Sequence, residues 1–315
     1  MEKLKIGIVG LGSIGIRHLK NISEILTEKQ VAYSIDVIRS GKGKAIHSEI
    51  RSLIDGVLTE KDALKKQYDI LFITNPTDKH YATIKTYATT TTHMFIEKPV
   101  FDQTDLDIQT LGLKASGVYY VACPLRYTGV IEYLKQKVDL KNVYSIRIIC
   151  SSYLPEWRPE TNYRHTYSAH KAQGGGVSID LIHEWDYLYY LLGEPQKVLN
   201  LRGTYSDLEI DSDDLSVYIA QYQSSLAEIH LDYFGRESIR QIELFTKEET
   251  IVGDLIQHQI RFLKQEKIMD FSKNRDDYQK KELETFLEMV AGKEKNHNTI
   301  QTALKVLKIA KGEVQ

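Results

Sequence analysis

The chain has 315 residues, which is enough for two domains with separate cores. Hydrophobic residues make up 42% and charged residues 27%, a composition typical of folded globular proteins and not of long disordered segments. The formal net charge of −2 provides no basic field for nucleic acid or an anionic membrane, so we expect neither as a partner.

The first part of the chain alternates strand-like and helix-like stretches. Short apolar runs occur at 4–9, 33–38, 68–73, 93–96 and 118–122, and helically spaced stretches at 14–26, 61–66 and 79–88 separate some of them. This order predicts an α/β domain over residues 1–123, with a doubly wound parallel sheet of the Rossmann type. Ligands of such sheets bind outside the carboxyl ends of the strands.

The pattern changes near residue 142. Apolar and polar residues alternate at 143–151, 198–205, 215–222, 227–234 and 239–245, which predicts a largely antiparallel sheet. We predict one helix at 177–192, between a glycine run and Gly193, and two closing helices at 276–291 and 299–310. Residues 124–315 would form the second domain, with Pro124 as a hinge.

Two cysteines, Cys123 and Cys150, form neither a disulfide framework nor a zinc-binding spacing, so we predict buried reduced thiols and no metal site. The N-terminal segment reaches glycine too early for a signal peptide, and no stretch is apolar for long enough to span a bilayer. These features predict a cytoplasmic protein.

A glycine motif follows the first apolar run and opens the first helical stretch, with the sequence GLGSIG at residues 10–15. In this context the glycines allow a tight turn, a close approach of backbone to a pyrophosphate, and close packing of helix on strand. An ordinary tight turn is the alternative. The predicted dinucleotide contacts in this loop are Gly10, Gly12, Ser13, Ile14 and Gly15.

In such domains, residues at the end of the second strand contact the ribose of the cofactor. Asp36 lies at about the expected distance from the glycine loop, but Val37 and Ile38 continue the strand beyond it. The turn that follows begins with Arg39 and Ser40 and continues to residue 44 with two lysines, which suits a 2′-phosphate. We therefore predict NADP in preference to NAD; a solvated basic loop is the alternative, with Asp36 or another group reading the ribose.

Three further residues suit proton transfer. Lys98, in the Glu97-Lys98-Pro99 sequence at the end of the fifth strand, can donate to a substrate oxygen and lower the pKa of a nearby base. Asp180 and His183 are spaced i, i+3 after a glycine run, so we predict that they share one helix face, where the carboxylate can orient the imidazole. The alternatives are a surface lysine and a structural Asp–His contact.

These separated motifs, in this order along nearly the whole chain, resemble the Gfo/Idh/MocA family of sugar and inositol oxidoreductases. The resemblance implies a Rossmann domain and a C-terminal α/β domain whose open, largely antiparallel sheet often mediates homo-oligomers. It implies that Lys98, Asp180 and His183 surround the reacting carbon, with His183 as the proton acceptor or donor. It also implies further cofactor contacts at Asn75, His80, Glu97 and Arg126.

A segment rich in aromatic residues and arginine looks like the branch of this family found in surface-glycan and acidic-sugar biosynthesis. Its two arginines suit a carboxylate or phosphate on a carbohydrate-like substrate. The alternatives are that Arg158 contacts the cofactor and that Arg164 pairs with a surface acid. The predicted substrate contacts in this segment are Trp157, Arg158, Tyr163 and Arg164.

The leading hypothesis is a dehydrogenase or reductase for a sugar, nucleotide-sugar or cyclitol. An NAD-dependent glycosidase and a non-catalytic regulator that senses NAD(P) or a sugar are the alternatives. The retained Lys98, Asp180 and His183 argue against the regulator, because a pure sensor does not need them.

Overall fold

The computed structural model describes residues 3–41, 45–272 and 274–314. The chain divides into two compact units. The first contains residues 1–122 and 279–304, and the second contains residues 123–278 and 305–315. Lys42, Gly43 and Lys44, which belong to the predicted basic turn, lie outside the described residues.

The first unit is built on a six-stranded sheet in the order β3-β2-β1-β4-β5-β6, with every neighbouring pair parallel. This confirms the predicted doubly wound sheet. Its central strands are apolar runs because helices or loops cover both faces. The strands are β1 (Leu4–Val9), β2 (Tyr33–Ile38), β3 (Gly56–Leu58), β4 (Tyr68–Ile73), β5 (Thr91–Ile96) and β6 (Tyr119–Val121).

Helices follow most of these strands, as in other doubly wound folds. The first is long and amphipathic, and it buries one face against the sheet. The helices are α1 (Ser13–Glu28), α2 (Ser48–Arg51), α3 (Glu60–Ala63) and α4 (His80–Tyr87).

The second unit contains an eight-stranded sheet in the order β14-β13-β12-β11-β7-β10-β9-β8. Neighbours are antiparallel except for the parallel pair β7 and β10, so the prediction of a largely antiparallel sheet is confirmed. The strands are β7 (Val143–Tyr153), β8 (Lys197–Gly203), β9 (Leu215–Gln221), β10 (Leu226–Asp232), β11 (Phe234–Thr246), β12 (Thr250–Asp254), β13 (Gln259–Phe262) and β14 (Lys267–Asp270).

The remaining helices lie in the later part of the chain. They are α5 (Gly129–Lys137), α6 (Val177–Asp180), α7 (His183–Leu192), α8 (Arg275–Val290) and α9 (Ile300–Ala310). Short 3₁₀ turns connect many elements: Thr77–Lys79, Ile108–Leu111, Pro124–Tyr127, Leu140–Asn142, Leu154–Glu156, Tyr163–His165, Tyr167–Ala169 and Lys171–Gln173. No helix in the described part of the chain is long and apolar enough to cross a membrane.

The prediction of a single helix at 177–192 is wrong, because the structure has two helices there. The backbone leaves helical geometry at Leu181, where ψ is 28°, and α7 begins anew at His183. Asp180 and His183 therefore lie on two consecutive helices instead of one helix face. Asp213 holds the start of α6, because its carbonyl oxygen accepts the Val177 N–H at 2.9 Å.

The predicted linear division of the chain also differs from the structure, because residues 279–304 belong to the first unit. Phe286 packs its ring 5.4 Å from Phe95 and 6.0 Å from Tyr120. The Tyr120 hydroxyl donates to Glu282 Oε1 at 2.9 Å. These contacts make most of α8 part of the core beneath β5 and β6.

Both cysteines are buried and neither forms a disulfide, as predicted. Burial raises the pKa of the Cys150 thiol to about 12, with the Glu184 carboxylate as the next contribution. A thiol with so high a pKa is a poor nucleophile, which fits a packing role.

Candidate active site

The glycine loop between β1 and α1 has the geometry that each of its glycines requires. Gly10 has φ +92°, and a Cβ there would lie 2.8 Å from the Asn75 backbone nitrogen. A Cβ on Gly15 would lie 2.5 Å from the Gly10 carbonyl oxygen. Only glycine fits either position, so the loop and the start of α1 can pack directly against the end of β4.

Gly12 lies at the N-cap of α1 and has a different surrounding. A Cβ built there meets no atom of the described residues within 4 Å. Within the described residues, no side chain caps this end of the helix, and its first turn contains no acidic residue. The first N–H groups of a helix carry partial positive charge and attract phosphate. The loop therefore fits the diphosphate of a dinucleotide, with Ser13 exposed and Ile14 half-buried beside it.

At the end of β2, the strand continues through Ile38, as the sequence predicted. The Asp36 carboxylate accepts from Lys66 Nζ at 2.6 Å and from the Tyr68 hydroxyl at 3.2 Å. Arg39 is half-buried and Ser40 is exposed, and the Arg39 N–H donates to the Leu58 carbonyl at 3.0 Å. Lys66 and Tyr68 thus hold the Asp36 carboxylate beside β2, whereas Arg39 lies at the end of the strand.

The turn after β4 is held by hydrogen bonds to buried groups. Asn75 Nδ2 donates to Thr83 Oγ1 at 2.8 Å. His80 is buried, with Nε2 2.9 Å from the Asn75 carbonyl oxygen and Nδ1 3.2 Å from that of Val100. Burial lowers the pKa of His80. His80 thus supports the turn that carries Asn75, and its predicted contact with a cofactor stays a prediction.

At the end of β5, Glu97 and Lys98 are half-buried. Glu97 Oε1 lies 2.5 Å from His18 Nε2, and its Oε2 accepts the Lys98 backbone N–H at 3.2 Å. Burial opposes ionisation of Glu97, but the His18 hydrogen bond and nearby positive charge hold its pKa below the usual value. The Glu97 carboxylate is therefore engaged within the protein, and its predicted cofactor contact remains untested.

In the second unit, Asp180 is 8% exposed and His183 is half-buried. The Tyr233 hydroxyl donates to Asp180 Oδ2 at 2.5 Å. Burial and the Asp180 carboxylate raise the pKa of both Tyr233 and Tyr167, which also hydrogen-bonds Asp180. Two phenol hydroxyls thus fix this carboxylate and remain protonated donors across the physiological range.

Trp157 and Arg158, from the segment rich in aromatic residues and arginine, contact the two tyrosines that hold the Asp180 carboxylate. The Trp157 ring meets the Tyr233 ring edge-on with centroids 5.2 Å apart, and the Arg158 guanidinium lies 6.0 Å from the Tyr167 ring centre. A small pocket is lined by Leu154, Trp157, Arg158, Thr161, Tyr163, Thr166 and Ser168. Trp157 and Arg158 therefore lie beside the groups that hold Asp180.

Arg164 is exposed and forms an ion pair with Glu209, while its guanidinium lies 4.7 Å from the centre of the Tyr163 ring. This is the surface pairing that the sequence left as an alternative to substrate binding. The Glu209 backbone N–H donates to the Tyr163 hydroxyl at 3.3 Å, so both predicted substrate residues have local partners.

Arg126, predicted as a cofactor contact, is 3% exposed and binds the Asp186 carboxylate in a bidentate manner. Its Nε and Nη2 donate to the two carboxylate oxygens at 2.8 and 2.7 Å, and the guanidinium lies over the Tyr190 ring. The geometry gives Arg126 a structural role in the second unit. A contact with a cofactor stays a prediction.

The sequence did not single out His18, Tyr167 or Tyr233 as functional residues. His18 lies 79 positions from its partner Glu97. Tyr167 and Tyr233 lie 13 and 53 positions from their shared partner Asp180. In the described residues, no group of three or more His, Cys, Asp or Glu side chains could hold a metal ion.

A parallel sheet in the order 3-2-1-4-5-6, with an open glycine turn at the N-terminus of its first helix, defines a dinucleotide-binding domain. Residues 4–112 match the model of the Gfo/Idh/MocA family, described as an oxidoreductase family with an NAD-binding Rossmann fold. The N-terminal part of the chain thus matches the Gfo/Idh/MocA oxidoreductases, in agreement with the resemblance.

Among curated proteins, the chain is similar to an inositol 2-dehydrogenase/D-chiro-inositol 3-dehydrogenase of Lacticaseibacillus casei. The two are 23% identical over 220 residues, which is 67% of this chain and 60% of the relative. The match thus spans about three fifths of that protein's length.

Two solved structures share the fold over nearly the whole chain. The UDP-N-acetylglucosamine 3-dehydrogenase GnnA from Acidithiobacillus ferrooxidans has a TM-score of 0.76 at 18% identity, covering 99% of this chain and 97% of that one. A levoglucosan dehydrogenase in complex with NADH and levoglucosan has a TM-score of 0.81 at 15% identity, covering 98% and 96%. At these identities the likeness concerns the fold alone.

Proposed function

We propose that this chain is a nicotinamide-dependent oxidoreductase that acts on a secondary alcohol of a sugar, nucleotide-sugar or cyclitol. The observation that carries the proposal is the open N-terminus of α1 at Gly12, between two glycine positions that exclude any side chain. The names of the relatives support the substrate class, since they act on inositol, levoglucosan and a UDP-sugar.

Three side chains would handle the proton. In oxidation, His183 takes the proton that leaves the substrate hydroxyl, and Lys98 donates a hydrogen bond to the same oxygen. Asp180, whose carboxylate Tyr233 and Tyr167 hold, tunes this proton transfer. A bound nicotinamide supplies the hydride acceptor or donor.

The experiment is a spectrophotometric assay of the purified chain. NADP and NAD are each supplied with myo-inositol, levoglucosan or UDP-N-acetylglucosamine, and the absorbance of the reduced nicotinamide is followed. Net reduction with at least one of them supports the proposal. Cofactor that is bound and turns over without net reduction would indicate the glycosidase, and binding without any turnover would indicate the regulator.

We propose NADP as the preferred cofactor. Support comes from the end of β2, where Asp36 is paired with Lys66 while Arg39 follows the strand. We expect Arg39→Asp to weaken NADP binding by about 1.5–3 kcal/mol, the value of a charge-assisted hydrogen bond, and to leave NAD binding much less affected. Calorimetric titration with both dinucleotides measures this. An equal loss for both would mean that another group reads the ribose.

We also propose that the chain forms a homo-oligomer through the second sheet. Leu199 and Leu201 on β8 are 58% and 76% exposed, and Leu226 on β10 is 41% exposed. The strand register places all three on one face. We expect Leu201→Asp to lower the molar mass found by light scattering, with the exposed Lys85→Asp as a control. A wild-type monomer would contradict the proposal.

A further inference from the structure

Two polar side chains meet between α1 and the end of β5. His18 is 2% exposed, and its Nε2 lies 2.5 Å from Glu97 Oε1. The other oxygen of the same carboxylate accepts the backbone N–H of Lys98 at 3.2 Å. One carboxylate thus joins a side chain of the glycine-loop helix to the backbone of Lys98.

Apolar rings fix the imidazole in place. The His18 ring centre is 4.9 Å from that of Phe95 and 5.8 Å from that of Phe72. In the described part of the chain, His18 Nδ1 has no hydrogen-bond partner, so Glu97 is the polar anchor of this ring. A hydrogen bond to a charged group is strong in such surroundings, because little water screens it.

This arrangement has a consequence for Lys98. Glu97 follows the last residue of β5, so its side chain can rotate if no hydrogen bond holds the carboxylate. Such a rotation would break the hydrogen bond that Glu97 Oε2 accepts from the Lys98 N–H. The hydrogen bond with His18 opposes this rotation of Glu97. His18 lies on α1, the helix that the glycine loop opens.

We propose that His18 is a positioning residue for Lys98, acting through the Glu97 carboxylate. The inference rests on the proposed function, in which Lys98 contacts the substrate oxygen. It adds His18, which lies outside the motifs, and a physical link between the glycine-loop helix and Lys98.

The test compares His18→Leu with His18→Gln. Leucine fills the space without a donor, whereas the glutamine amide nitrogen can reach the position of Nε2. Asn21→Leu is the matched control, because Asn21 is buried on the same helix and its Nδ2 has no partner in the described residues. Glu97→Gln is a second variant that weakens the same link if His18→Leu does not fold.

The first readout needs neither cofactor nor substrate. Reductive methylation of Lys98 in the dinucleotide-free protein is followed by mass spectrometry, with the exposed Lys85 as internal reference. We expect the Lys98 rate to change severalfold in His18→Leu and Glu97→Gln and to stay at the wild-type value in His18→Gln and Asn21→Leu. An unchanged rate in the first two variants overturns the proposal.

The second readout separates positioning from folding. In His18→Leu we expect kcat to fall about 10- to 100-fold, as for other small displacements of a reacting group, with dinucleotide affinity preserved. A parallel loss of affinity, or an equal loss in Asn21→Leu, overturns the proposal. If the wild-type chain shows no dinucleotide-dependent turnover, the proposed function fails and the methylation rates alone decide the role of His18.

Discussion

Lys98→Ala and His183→Ala are each expected to lower kcat by about 10²- to 10⁴-fold, the usual contribution of a positioned acid or base. Dinucleotide affinity should change little, because the phosphate-binding loop and the end of β2 remain intact. The expected signature is thus a loss of kcat with a nearly constant dissociation constant for the dinucleotide. Steady-state kinetics and calorimetric titration measure the two quantities.

Matched controls are available on the surface of the first unit. Lys85→Ala and His47→Ala remove the same chemical groups from exposed positions. Both should keep wild-type kcat. Near-normal turnover in Lys98→Ala and His183→Ala would show that other residues move the proton.

Arg126→Leu is expected to destabilise the second unit by about 3–5 kcal/mol, since it leaves the Asp186 carboxylate partly buried without its bidentate partner. The guanidinium is nearly inaccessible, so water cannot replace the lost hydrogen bonds at low cost. Both tryptophans of the chain, Trp157 and Trp185, lie in the second unit, so their fluorescence during urea unfolding reports on it.

The control is the exposed ion pair between Lys305 and Glu194, with atoms 2.7 Å apart. Lys305→Leu should change the free energy of unfolding by about 0–1 kcal/mol, because water solvates the remaining charge. The double variant Arg126→Leu/Asp186→Leu should recover part of the loss. A change below about 1 kcal/mol in Arg126→Leu would contradict the structural role argued for this pair.

The sequence predicted local features well. The glycine loop was found from a motif of six residues directly after an apolar run, and the strands of the first sheet from apolar runs that match the observed β1, β2 and β4. The candidate residues Lys98, Asp180 and His183 were found through motifs of a few positions. Each of these signals is contained in a short segment.

Features that depend on distant partners were not predictable in the same way. The break before His183 and the assignment of Phe286 to the first unit depend on packing. The hydrogen bonds of Asp180 to Tyr233 and of Glu97 to His18 join residues that are 53 and 79 positions apart. No periodicity or local motif records such pairs.

Because residues 279–304 belong to the first unit, the order in which the two units fold during translation is affected. The core around Phe95 and Tyr120 lacks Phe286 until nearly the whole chain has been made. At usual rates of synthesis the ribosome adds this missing part roughly 10–30 s after it finishes β6. The second unit, whose residues 123–278 are contiguous, can form most of its sheet in that interval. The N-terminal dinucleotide-binding unit is thus expected to complete its core later than the second unit, and a fragment that ends at residue 122 lacks the part of that core that Phe286 provides.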